Sequence, residues 1–345
     1  MPLASLAYSL AIALMIGWLL WLGQTLLLPI LAAIISVYVL IAAAQAMRNV
    51  PLLGRAPSWL LRLFVLAGFT IGVALLFTLI VTTFARVVAA IPGYEANLDT
   101  VIGRGAAWLG FEDQPTWARL REATFDQIDT GRLVTPLVNS LRGLGGSLFL
   151  IVLYASFFLA ERARFGTKLN RAIGDPDDRA KTLEVMARIN ERIGEYLLVK
   201  TFVNTVLGLV SFIIMWAIGI EFAIFWAVLI GFLNYIPYVG SLLGVAFPVL
   251  LCLAQFGSFA MAGLSLATLT AAQVYVGSVL EPRLMGRTFN LSPFVVLLAL
   301  AFWGSLWGIP GAILSVPLTA SLVIVLAEIR ITRPFAVMMS ANGKV

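Results

Sequence analysis

Histidine is missing altogether from the 345 residues, and cysteine occurs once, as Cys252. The first absence removes Ser-His hydrolysis, the usual zinc centres and histidine proton relays. The second rules out a disulfide within the chain and leaves no soft metal-ligand set. Charge is scarce too: 12% of residues are Asp, Glu, Lys or Arg and 61% are hydrophobic, whereas soluble domains carry about 25% charged residues. No carboxylate or lysine falls deep within the long apolar runs, which weighs against a strongly proton-coupled pump and an aspartyl intramembrane protease. With no nucleophile–base pair and no ligand cluster, no catalytic residue, metal or cofactor is assigned, and an enzyme is not expected.

What the chain has in quantity is apolar runs long enough to cross a bilayer. Leu3 to Leu22 reads as a first, retained span, since it lacks a basic leader and a cleavage site, with Trp18 and Trp21 as interfacial anchors. Gly23-Gln24-Thr25 reads as a tight turn and Leu26 to Met47 as the return. Arg48, Arg55 and Arg62 then form a basic loop without acidic residues, which places this end and the N-terminus on the cytoplasmic side. Of the 23 Lys and Arg, 17 fall in segments assigned to that side. The net charge of +6 is therefore positive-inside bias, and no nucleic-acid partner is expected.

The organisation expected is 1–93, three membrane helices; 94–142, an extracytoplasmic amphipathic insert; 143–160, a fourth span; 161–200, a cytoplasmic amphipathic helix; 201–330, a transport core; and 331–345, a cytoplasmic tail. In the insert, Trp117, Leu120, Phe125 and Ile128 share helical spacing. Arg86, near the end of the third span, can snorkel to the interface. Gly174-Asp175-Pro176 is a stop-and-restart signal, an Asp cap followed by Pro at the first helical position. The helix after it should run straight into the span Thr201 to Ile218.

The last third carries the functional signal. Phe222 to Phe256 and Pro293 to Ala327 are each 35 residues of nearly unbroken apolarity. As one helix each would measure about 52 Å, too long for a core of about 30 Å, yet each is too short for two full spans and a turn. The first is interrupted at Asn234-Tyr235-Ile236-Pro237-Tyr238-Val239-Gly240 and the second at Gly308-Ile309-Pro310-Gly311. Two re-entrant hairpins fit best, with tips that must be buried in protein or line a wet cavity; kinked single helices are the alternative. Hairpins also keep Glu281, Arg283 and Arg287 cytoplasmic, as the charge bias requires. The fold expected is all-α and polytopic, about six full transmembrane helices plus the two hairpins, or about eight membrane segments.

The runs LEPRLMGRTFNLSP and LAFWGSLWGIPGAILSVPLTA, with NYIPYVGSLLGVAFP upstream, resemble the autoinducer-2 exporter family of bacterial membrane proteins. The order of spans and the hydrophilic insert are similar as well. The resemblance implies a multi-pass inner-membrane protein and a homo-oligomer, pentamers being described in the family. It also implies export of autoinducer-2 or, for some members, sodium or lithium/proton antiport.

The candidate substrate-binding or gating residues are Asn234, Tyr235, Pro237, Tyr238, Gly240, Gln273, Glu281, Arg283, Pro310 and Gly311. Glu281 with Arg283 suits a gate or a proton site, or equally a salt-bridged helix corner. Asn204, Asn234 and Gln273 are neutral amides in apolar runs that suit hydrogen bonds to a solute or equally bridges between helices; a neighbouring break favours solute contact for Asn234, and Asn204 reads as a helix bridge. Tyr235 and Tyr238 bring hydroxyls to the tip, and Gly240 and Gly311 are expected to allow the sharp turns. The function expected is a membrane transporter in which a small polar solute such as autoinducer-2 passes between the two hairpins. The alternatives are a monovalent cation/proton antiporter using Glu281 or Glu221, and a non-transporting membrane scaffold.

Overall fold

The structure, a computed structural model, describes residues 3–48, 57–109, 146, 149–161, 167–168, 171–285 and 290–344. The Trp117–Ile128 stripe, Arg55 and Arg287 lie outside these residues. All regular elements among the described residues are helical: α1 Leu3–Leu22, α2 Gln24–Arg48, α3 Ser58–Ala90, α4 Glu95–Leu109, α5 Phe149–Glu161, α6 Pro176–Ile218, α7 Ala223–Leu233, α8 Val239–Phe256, α9 Phe259–Tyr275, α10 Glu281–Met285, α11 Pro293–Glu328 and α12 Arg333–Met339. Among the described residues, five helices are long and apolar enough to cross a membrane, or up to six if the bent α1–α2 pair is one span. The chain forms two compact units, residues 1–67, 147–198 and 287–345, and residues 68–146 and 199–286.

In the first unit, α2 packs on α5 through Ala33, Val37 and Ala155. The tight turn expected at Gly23 is a kink: Leu14–Leu22 and Gln24–Tyr38 are bent by 82°. Gly23 belongs to both helices: Gly23 N donates to Leu19 O at the end of α1, and Gly23 O accepts from Leu26 N and Leu27 N at the start of α2. The Leu20 carbonyl at this break accepts instead from Trp307 Nε1, at 3.0 Å.

α6 starts as its cap sequence requires, with Asp175 Oδ1 accepting from Asp177 N at 2.9 Å, and continues unbroken for 43 residues into the second unit's core. There Val203, Leu207, Met215, Leu269 and Val276 are almost fully buried. In a bilayer such contacts gain from close packing, since lipid tails are as apolar as leucine.

Both long apolar segments reverse. In the first, α7 and α8 run antiparallel, with Gly244 opposite Ile230 and Gly240 against Leu233. Gln255 closes its base: Gln255 Oε1 accepts from Glu221 N and Gln255 Nε2 donates to Gly219 O, each at 2.9 Å. Asn97 Nδ2 of α4 donates to Gln255 O at 2.7 Å, and the Tyr94 hydroxyl donates to Glu221 Oε2. Start and finish of the hairpin therefore lie at one end of the unit. In the second segment α11 is two helices, 293–307 and 309–328, broken at Gly308 (φ 64°, ψ −143°). Trp303 Nε1 donates to Thr319 Oγ1 at 3.0 Å. Sixteen residues of straight helix would separate those two residues by about 24 Å, so the limbs fold back on each other.

The glycines act differently from expectation. The turning backbones belong to Tyr238 (φ 61°) and Gly308 (φ 64°), not to Gly240 and Gly311. Gly240 and Gly311 instead let two backbones meet, because a Cβ there would overlap the carbonyl oxygen of Leu233 or of Trp303. Gly240→Ala and Gly311→Ala should each lose about 2–3 kcal/mol or more, seen as a lowered melting temperature in detergent. Gly263→Ala, in open space on α9, should be neutral or slightly stabilising; equal effects at all three positions would show that the close approaches are not formed.

Candidate functional site at the first hairpin tip

The tip is built on a strained turn. Val239 N donates to Pro237 O at 2.6 Å across Tyr238, whose φ of 61° and ψ of −53° make this the rare positive-φ γ-turn. A bulky residue held in this geometry costs of order 1–3 kcal/mol and typically marks a functional site. Pro237 presets the preceding backbone and removes a donor that would lack a partner. Tyr238 itself is 55% exposed.

Small residues bring the tip against α6. A Cβ on Gly231 would touch Asn204 O at 3.0 Å, and one on Gly208 would touch Ala227 O at 3.1 Å. This close seating delivers the last residues of α7 to a polar layer. Asn234 Nδ2 donates to Asn204 Oδ1 at 2.8 Å, and Gln273 Nε2 of α9 donates to Asn234 Oδ1 at 2.7 Å. Beside them the Tyr235 hydroxyl and Thr201 Oγ1 are 2.8 Å apart. Asn204 and Asn234 are both buried. Counted at 1.5 Å per residue, Asn204 lies about 21 Å from the Ile218 end of α6, and Gln273 about 21 Å from the Phe259 end of α9. Both amides therefore sit at one level, far from the hairpin base.

The three amides form a ladder with direction. It ends on Gln273 Oε1, an acceptor, and begins at Asn204 Nδ2, a buried donor without a hydrogen-bond partner among the described residues. Turning all three amides over exchanges the ends but still leaves one donor end and one acceptor end.

One turn further along α6 lies a group the sequence reading did not assign. Lys200 Nζ donates to Glu281 Oε1 at 2.6 Å, with side chains only 9% and 20% exposed. Glu281 follows a π-turn, Val276–Leu280, that ends α9; such turns recur at functional positions. The expected Glu281–Arg283 pair is thus corrected to Glu281–Lys200, and Arg283 is exposed. Lys200 was read as the last cation of a solvated amphipathic helix, because the basic run before it hides the point where α6 becomes buried. Its position four residues before Asn204 was the available signal. Gln255 was missed as well; a lone amide at the end of an apolar run says nothing about the carbonyl it will close upon.

At the hairpin base, burial, then the bond to Glu221 and its charge, push the Tyr94 phenol above its ordinary value, so Tyr94 remains a donor to that carboxylate. In the first unit, Pro310 is exposed in the first turn of the 309–328 limb, where its missing N–H does no harm. Trp303 and Trp307 lie tilted against each other near the Gly308 break, ring centroids 5.1 Å apart, and Trp307 Nε1 donates to Leu20 O at 3.0 Å.

Irregular backbone on apolar helices, gathered around buried polar side chains, is the architecture of a multi-pass membrane protein with a polar interior. The chain belongs to the AI-2E family of transporters, whose model matches residues 10–331. A putative transport protein of Haemophilus influenzae is 30% identical over 83% of this chain and 82% of its own. The AI-2 transport protein TqsA of Escherichia coli K12 is 35% identical, and a putative transport protein of Borreliella burgdorferi 32% identical, each over 61% of this chain. Those last two matches span 60% and 58% of the relatives' own lengths, less than two-thirds. The protein is accordingly a multi-pass membrane protein of that family.

Removing one partner of the buried pair leaves an unpaired charge, at a cost of about 3–5 kcal/mol. Lys200→Met and Glu281→Gln should each lower the melting temperature sharply. The double variant Lys200→Met/Glu281→Met should recover most of the loss, since the pair itself contributes little net stability. Additive losses in the double variant would show that the two side chains are not coupled.

Proposed function

We propose that this transporter moves a small, uncharged, hydroxylated solute past the Asn204–Asn234–Gln273 ladder, with autoinducer-2 or a metabolite of similar chemistry as the cargo and export as the direction. The observation that carries this reading is the ladder's pairing of a donor end with an acceptor end. A hydroxyl group donates and accepts, and so matches both. A bare cation would use only acceptors and an anion only donors. The Escherichia coli relative named for AI-2 transport supports the same class of cargo. The distribution of Lys and Arg supports cytoplasmic N- and C-termini, with the Tyr94–Gln255 end facing outward, and the family resemblance supports a homo-oligomer.

The buried Lys200–Glu281 pair favours a second reading, monovalent cation/proton exchange, in which Lys200 is the internal counter-ion that a transported cation displaces.

Flux through proteoliposomes of the full chain separates the two. Gln273→Leu removes the ladder's acceptor end and Asn234→Leu the link that orients both ends; since a lost buried hydrogen bond to the solute costs about 1–3 kcal/mol, each should cut flux of the neutral solute about tenfold or more. Glu281→Gln should leave binding of that solute intact. Undiminished neutral-solute flux in both amide variants would overturn the first reading. Sodium-driven proton movement that Glu281→Gln abolishes and Asn234→Leu leaves unchanged would establish the second.

A further inference from the structure

We propose that the segment from Ile329 to Met339 is a membrane-surface anchor whose partner is the anionic lipid headgroup layer. α12 is seven residues long, about 10 Å, and cannot span. One face is fully used, with Ala336 completely buried. The opposite face carries Phe335 and Met338, 61% and 79% exposed, and the turn before it carries Ile331, 77% exposed. Arg330 and Arg333 flank these apolar groups and are exposed. After Glu328 the chain has three cations, Arg330, Arg333 and Lys344, and no acidic residue.

The segment is fastened where both limbs of the second hairpin end. Ser292 N donates to Met339 O at 3.0 Å, Ala341 N donates to Asn290 O at 2.9 Å, and Thr332 Oγ1 donates to Leu326 O at 2.9 Å. That position is the boundary of the apolar region. In water, three large apolar side chains would lie uncovered; in hydrocarbon, two guanidinium groups would lose their hydration. The headgroup boundary alone suits both, as for other interfacial amphipathic helices. The uniform positive charge selects an anionic leaflet over a zwitterionic one. Because the segment is tied to the start of one limb and the end of the other, lipid binding would hold the hairpin base in the headgroup plane.

The test is hydrogen exchange of the amides of residues 335–340 in the full chain, placed in nanodiscs of phosphatidylcholine alone or with about one-third phosphatidylglycerol. Exchange should slow about tenfold in the anionic discs, and added salt should reverse the slowing. Arg330→Gln/Arg333→Gln should remove the difference between lipids. Phe335→Ser/Met338→Ser should speed exchange in both. Equal exchange of the wild-type chain in the two lipids would overturn the proposal. So would slowing that follows the number of protein copies per disc, which would assign the face to a second copy of this chain.

Discussion

A peptide group without a partner in hydrocarbon costs several kcal/mol, and that cost decides where this chain can depart from helix. At the first tip the backbone groups find partners close by: Ile236 N reaches Leu233 O, Val239 N reaches Pro237 O and Gly240 N reaches Ile236 O. The bonds close only because Gly240 lies against the Leu233 carbonyl, which a Cβ would block. Gly311 meets Trp303 in the same way in the other unit. The two hairpins thus share one device, a glycine where two backbones touch. It is this contact that lets the two limbs of each hairpin close on one another.

With the backbone satisfied, the tip's side chains are free to be polar. They sort into two layers on the same helices. Neutral amides from α6, α7 and α9 form one, and the Lys200–Glu281 pair forms the other, one turn away along α6. The amide layer carries an unspent buried donor, a group expensive to leave unmatched and well suited to a solute that arrives with its own hydrogen bonds. The ion-pair layer is self-satisfied and couples α6 to the π-turn. Gln255 does the corresponding work at the base, closing both limbs onto one side chain.

Much of this was legible in the residues. Thirty-five apolar residues with a Pro-Gly interruption cannot be one span or two, and that arithmetic alone points to reversal. Asn234 and Gln273 stood out as amides in apolar surroundings, and the structure joins them. Other features were not legible, for definable reasons. Glycine in a break suggests a turn, but a strained tyrosine can supply the turn while glycine supplies proximity, as Tyr238 and Gly240 do. A Gly-Gln-Thr sequence between apolar runs suggests a reversal, yet the helices on either side of Gly23 are bent by 82°, because Gly23 itself still bonds into both of them. Lys200 was hidden by charge counting, since its neighbours along the sequence are solvated while its neighbours in space are not.

The central claim is that the first tip borders a polar route and not lipid. Side-specific labelling of Tyr238→Cys tests it most directly, because the native Cys252 is fully buried. A water-lined tip predicts modification by a small, charged, membrane-impermeant thiol reagent from one side of the bilayer, slowed when the transported solute is present. Reaction only with a lipid-soluble reagent, at a rate indifferent to solute, would contradict it.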